Sequence, residues 1–153
     1  MSAAQGSERV PFKCPDGAPV TFEFHFTREL IALATTAPPF NTVTDIYLRI
    51  HRYDSETFNS CVQSYEKVLR GTKNWHTLQA DATLHLSIFI ETETDTRHAD
   101  DNVTGIFALL KSGTDLYLLN ILCALPLHQT STLLSNLGSL GICLLYTSPS
   151  PRD

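Results

Sequence analysis

Six side chains in this sequence have the types and the spacing to do chemistry together. Tyr47, Arg49, His51 and Tyr53 recur at every second residue of one alternating run, and His85 and Phe89 lie on the same side of another. Alternate side chains of an extended strand point to one face. If the two strands are neighbours, all six residues share a surface. Two imidazoles placed there could ligate a metal or work as acid and base, with Arg49 beside them. Aromatics, Arg and His also suit a bare, half-exposed antiparallel face with no chemistry of its own. Such a face would serve a protein partner or a small ligand.

Other chemical templates are missing. The chain has no GxSxG, no Gly-rich phosphate loop, no HExxH and no EF-hand spacing. Cys61 as a nucleophile would need a base and an electropositive setting, and its place in an apolar helical stripe points to core packing instead. Residues 91–101 carry Glu91, Glu93, Asp95, Asp100 and Asp101 against Arg97. Carboxylates are hard oxygen ligands, but these follow no calcium-loop spacing and read as a solvated loop. Asn102-Val103-Thr104 fits a glycosylation sequon, relevant only outside the cytosol. His25, His76, His98 and His128 are scattered and converge on no site. No cofactor and no metal are expected.

The elements that would hold those residues are legible from periodicity. Two apolar runs, 106–110 and 116–122, flank Lys111-Ser112-Gly113-Thr114-Asp115 and read as a hairpin covered on both faces, the centre of the fold. Val20, Phe22, Phe24 and Phe26 alternate as a strand or strand-like lead-in, and Thr27 can cap a short helix bearing Leu30, Ile31, Leu33 and Ala34 that Pro38-Pro39 stops. In residues 43–53, Ile46, Leu48 and Ile50 fall on the face opposite Tyr47, Arg49, His51 and Tyr53. Asp54 or Ser55 then caps a helix running to about Arg70, with Phe58, Cys61, Val62, Tyr65 and Leu69 in one stripe and Gly71 in a left-handed cap. Trp75 sits in the connection, folded back on the core edge. Leu84, Leu86, Ile88 and Ile90 point inward from the next strand, with His85, Ser87, Phe89 and Glu91 outward. After the hairpin, Pro126, Leu127, Thr130, Leu133, Leu134 and Leu137 describe a last helix ending near Gly138.

The expected fold class is α+β: a two-layer sandwich with a mainly antiparallel sheet, in the order strand, helix, three-strand meander, helix, and the helices on one face. A right-handed crossover is expected between the strands flanking the long helix if they pair in parallel. Residues 1–19 read as a flexible arm and 20–142 as one domain.

At 153 residues the chain is one domain's length, and 42% hydrophobic with 18% charged residues is a globular composition. A net charge of −5 argues against nucleic acid and against an anionic membrane surface. No run reaches the ~18 apolar residues of a spanning helix, and no secretory signal pattern opens the chain, which makes the cytoplasm the default location. Cys14, Cys61 and Cys123 are far apart, form no CxxC pair and read as free thiols.

Two resemblances add to this. Residues 143–153, Cys143 through Ser148-Pro149-Ser150-Pro151 to Asp153, resemble the translation of a sequencing-library adapter. They are set aside as a non-native tail, which implies a native chain cut at about Ile142. Residues of roughly 20–140 resemble the bacterial domain-of-unknown-function family 4252. The likeness rests on the strand around residues 46–53, the helix with Tyr65, the following Trp75, the meander ending in Leu116-Tyr117-Leu118-Leu119-Asn120-Ile121-Leu122, and the closing Pro/Leu-led helix. Cys123-Ala124 stands where that family usually has a Gly-containing turn. The resemblance implies the fold and brings no activity. The function expected is therefore a non-enzymatic interaction module using an open sheet face or edge strand to bind a protein partner or a second copy. The rival is a small-molecule-binding protein or enzyme with a pocket around His51, His85 and Arg49.

Overall fold

Gly113 adopts φ 62°, a conformation open to a residue without Cβ, and the chain reverses there between Ser112 and Asp115. The strands it joins are the middle pair of the sheet. The computed structural model describes residues 9–14, 17–52, 58–71, 74–81, 85–93 and 102–137. Within them run β1 (Val20–Thr27), α1 (Arg28–Ala34), β2 (Val43–Arg52), α2 (Phe58–Arg70), β3 (Trp75–Asp81), β4 (Leu86–Thr92), β5 (Asn102–Ser112), β6 (Asp115–Pro126) and α3 (Thr130–Ser135). The strands form a six-stranded sheet in the order β1-β2-β6-β5-β4-β3, every pair antiparallel. The α+β class is as the residue pattern implies.

Register fixes the faces, because directly opposed residues share one. Phe26, Ile46, Ile121, Ile106 and Ile90 form one row, and Phe24, Leu48, Leu119, Ala108 and Ile88 the next. Ile31 of α1, Phe40, and Leu133 and Leu134 of α3 pack into the cluster on this face. On the other face Leu116, Leu118, Leu109, Phe107 and Phe89 lie under Phe58, Cys61, Tyr65 and Leu69 of α2. Thus α2 covers one face and the two short helices the other, not all helices on one face as expected, because the sheet centre is apolar on both sides and each side needs a cover. The hairpin strands are buried from both sides, which is why their sequences are apolar nearly throughout.

Several expectations change. Trp75 opens a strand, β3, instead of sitting in a loop. Its ring approaches Gly105, where an added Cβ would stand 3.3 Å away. Residues 75–81 lack clean alternation, and the β3–β4 register shifts between Thr77 and Gln79, so the strand leaves little periodic trace. The partners of β2 are β1 and β6, both antiparallel, so no parallel crossover arises. Gly71 ends α2 without a left-handed conformation, and the positive φ falls on Asn74, at 74°. The Thr27 cap is present, its hydroxyl accepting from the Leu30 N–H at 3.3 Å. In α1 only Ile31 of the apolar side is buried. Leu84, the proposed Asp54/Ser55 cap, Gly138 and the adapter-like tail lie outside the described residues.

The largest departure concerns the N-terminal segment. Residues 9–14, read as part of a flexible arm, lie across the α2 face. Val10 is buried, and Phe12 and Cys14 pack against the same cluster. Cys14 is disulfide-bonded to Cys61, with Cα atoms 5.7 Å apart, so the reading of separate free thiols survives only for Cys123 among the described residues. Such a bond is unusual in the reducing cytosol. Tyr65 grips the same point: its hydroxyl donates to the Cys14 carbonyl at 2.8 Å and accepts from the Cys14 N–H at 3.0 Å. Spacing along the chain could not show this pairing, because a strap folded over a helix creates it.

Candidate functional site

Of the six residues singled out by type and spacing, the five described do not converge on one site. Between β2 and β4 stand β6 and β5. His51 pairs with Leu116, Leu116 with Lys111, and the Lys111 N–H donates to the His85 carbonyl, so three inter-strand steps separate the two histidines. At about 4.8 Å a step that is about 14 Å, too far for one metal ion or one proton relay. Tyr47 and Phe89 lie in the same row, separated by Asn120 and Phe107. Tyr53 falls outside the described residues.

Each of the others has a structural occupation. Phe89 is buried under α2. His85 takes φ 52° in the turn before β4 and lies against Phe58, ring centroids 5.3 Å apart. His51 is only 3% exposed. Its Nδ1 donates to the Ala18 carbonyl at 3.1 Å, and its Nε2 has no hydrogen-bond partner among the described residues. Burial pushes its pKa below the usual imidazole value; the Ala18 contact opposes the shift, Arg49 adds to it, and Glu23 opposes it. A neutral, enclosed imidazole of this kind is a core histidine. The open sheet face expected around these residues is instead closed by α2 and residues 9–14.

What does gather is the polar edge of that face, around Tyr47 and Arg49. Tyr47 stacks on His25 with centroids 4.2 Å apart, and the Arg9 guanidinium lies 4.1 Å from the Tyr47 ring centroid. His25 Nε2 meets Asp45 at 2.8 Å. Arg49 donates from Nε and Nη2 to the same Glu23 oxygen, at 3.0 and 2.7 Å, and from Nη1 to the Phe12 carbonyl at 3.2 Å. Arg9, Phe12, Glu23, His25 and Tyr47 border a shallow cleft of about 200 Å³. Ligand pockets start at about 300 Å³ and bury most of the ligand; this cleft is smaller and half open. Among the described residues no group of three His, Cys, Asp or Glu side chains is placed to hold a metal ion.

Two features escaped the sequence reading. Asn120, in the middle of an apolar strand, is fully buried and pins the strap: Oδ1 accepts from the Val10 N–H at 2.7 Å and Nδ2 donates to the Ile106 carbonyl at 3.0 Å. A lone amide in a run buried on both faces is itself a signal, since it needs partners there. The second feature is β1. It is an edge strand, yet Val20, Phe22 and Phe24 are 49%, 48% and 40% exposed. Phe22, Phe24 and Phe26 form a continuous aromatic row, with centroids 6.3 and 4.5 Å apart. Alternation groups Phe22, Phe24 and Phe26 on one side as found, but a register shift between Val20 and Phe22 sets Val20 opposite His51, and alternation says nothing about what covers the row.

Among the described residues no helix is long and apolar enough to cross a membrane. No protein-family model matches the chain, and no curated protein does.

Proposed function

We propose that the chain is a binding module that takes an extended strand of a protein along the outer edge of β1. One observation carries the reading: an edge strand whose aromatic row is left half exposed beside a backbone edge that no other strand pairs among the described residues. Unpaired N–H and C=O groups on a sheet edge are a template for another strand, and proteins usually blunt them with bulges, Lys or Pro. The opposite edge, β3, is interrupted mid-strand by the register shift between Thr77 and Gln79; β1 has its own shift at its N-terminal end, between Val20 and Phe22, and then runs in unbroken register with β2 from Phe22 to Thr27. Backbone bonds along β1 would supply affinity, and the Phe22/Phe24 row the preference for apolar side chains. An enzyme or small-molecule site around His51, His85 and Arg49 lacks comparable support, since the two imidazoles stand about 14 Å apart by strand spacing.

The test is a selection of displayed random peptides on the full chain, followed by hydrogen exchange. Selected peptides are expected to alternate apolar and polar residues and to protect the outward-facing amides of β1. Peptides that instead protect the Tyr47–Arg49 cleft or the α2 face would reject the edge as the binding surface.

A further inference from the structure

The β1 sequence is close to a palindrome. Thr21-Phe22-Glu23-Phe24-His25-Phe26-Thr27 reads the same in both directions except that Glu23 mirrors His25. We propose that the partner strand is β1 of a second copy, paired antiparallel about a two-fold axis at Phe24, so that the two six-stranded sheets run on as one. This rests on the reading of β1 as the binding edge and names its occupant.

A two-fold interface must be self-complementary, and this register is. Phe24 faces its own copy, Phe22 faces Phe26, and Glu23 faces His25. The aromatic row of one copy continues into that of the other on one face, and carboxylate meets imidazole on the other, both favourable cross-strand pairings. Neighbouring registers are worse. Sliding by two residues sets Glu23 against Glu23, or His25 against His25. Sliding by one turns the partner's faces over, setting the Phe row beside the Glu23/His25 row.

The side chains are available for this. Those of Glu23 and His25 are 50% and 42% exposed. Arg49 bonds Oε2 of Glu23 and Asp45 meets Nε2 of His25, so Oε1 and Nδ1 are not used by these two contacts. The α1 helix packs chiefly on β1 and adds Leu30 and Leu33, 41% and 83% exposed, to the apolar surface beside the edge. Stable interfaces bury more than about 1,000 Å²; an eight-residue strand edge with two helix leucines lies near that limit, so the dimer is expected to be reversible.

The experiment combines light scattering on the full chain with thiol crosslinking. The mass should rise from 17.0 kDa when dilute to twice that at high micromolar concentration. Phe24→Cys places two thiols opposite each other across the axis, where Cα atoms of paired strands are about 4.5–5.5 Å apart, within disulfide reach. Mild oxidation should join the two position-24 thiols, as mapped by mass spectrometry. Phe22→Cys alone should not crosslink to itself, whereas Phe22→Cys with Phe26→Cys should. Position 24 is half exposed, so the substitution leaves the core intact, and circular dichroism confirms folding. A monomeric mass at every concentration with no crosslink overturns the proposal, as does self-crosslinking at position 22 in place of 24. If selected peptides still bind β1 while the chain stays monomeric, self-pairing falls and the edge reading stands; if peptides also bind elsewhere, both fall.

Discussion

Replacing Asn120 by Ala should unfasten the N-terminal strap. The amide is fully buried and makes two hydrogen bonds, from the Val10 N–H at 2.7 Å and to the Ile106 carbonyl at 3.0 Å. Each such bond contributes about 1 kcal/mol net, and a buried donor left without an acceptor costs about 1–3 kcal/mol. The Val10 N–H, under a buried side chain, is that donor. Asn120→Ala should therefore destabilise the protein by about 2–4 kcal/mol. The single tryptophan, Trp75, packed against the α2-face cluster, reports urea unfolding, and amide exchange at Val10 reports the strap. Asn120→Asp keeps the acceptor for Val10 but turns a second acceptor toward the Ile106 carbonyl, so its cost should ease as the pH falls and the carboxyl gains a proton. A loss under about 1 kcal/mol, or an unchanged Val10 amide, would refute Asn120 as the fastener.

Three further predictions follow from buried groups. Because burial holds the His51 pKa below 6.5, the unfolded chain binds that proton first; the stability it contributes is complete above 6.5 and is lost as pH falls through the folded-state value. Urea midpoints between about pH 8 and pH 5 should fall less steeply for His51→Gln than for the native chain, and identical slopes would contradict this. The Cys14–Cys61 bond closes a separation of 47 residues, so Cys14→Ser with Cys61→Ser should cost about 2–4 kcal/mol. Equal urea midpoints for oxidised and doubly substituted protein would count against it. Burial, with the Glu91 charge adding to it, pushes the Cys123 thiol up to about 12. Alkylation mapped to Cys123 should therefore be negligible in native protein and fast in urea, and rapid native labelling would argue against that burial.

How much of this was legible follows from what periodicity records. The α2 stripe and the β2 alternation were readable because one strong period dominated each, and the Gly113 hairpin because two continuous apolar runs flank a short polar loop with Gly. Strand order was not: alternation places Tyr47, Arg49 and His51 together on one strand, but nothing local states that the hairpin inserts between β2 and β4. Nor does it state that α2 and the strap close the face those residues occupy. The strap left a weak trace, since Val10, Phe12 and Cys14 alternate, but Pro11, Pro15 and Gly17 around them read as a loop. Asn120 was hidden by the apolar residues beside it. In β1 the pattern was recognised, yet only the sheet order revealed that its aromatic side is half exposed at an edge.

The central claim is that binding uses the β1 edge and not the Tyr47–Arg49 group. The most direct measurement is the affinity of a selected strand peptide for the native chain, for Phe22→Lys, which lies outside the cleft, and for Tyr47→Ala. A loss of about tenfold or more with Phe22→Lys, and little change with Tyr47→Ala, is the predicted result. The reverse pattern would contradict the account and return the site to the polar cleft.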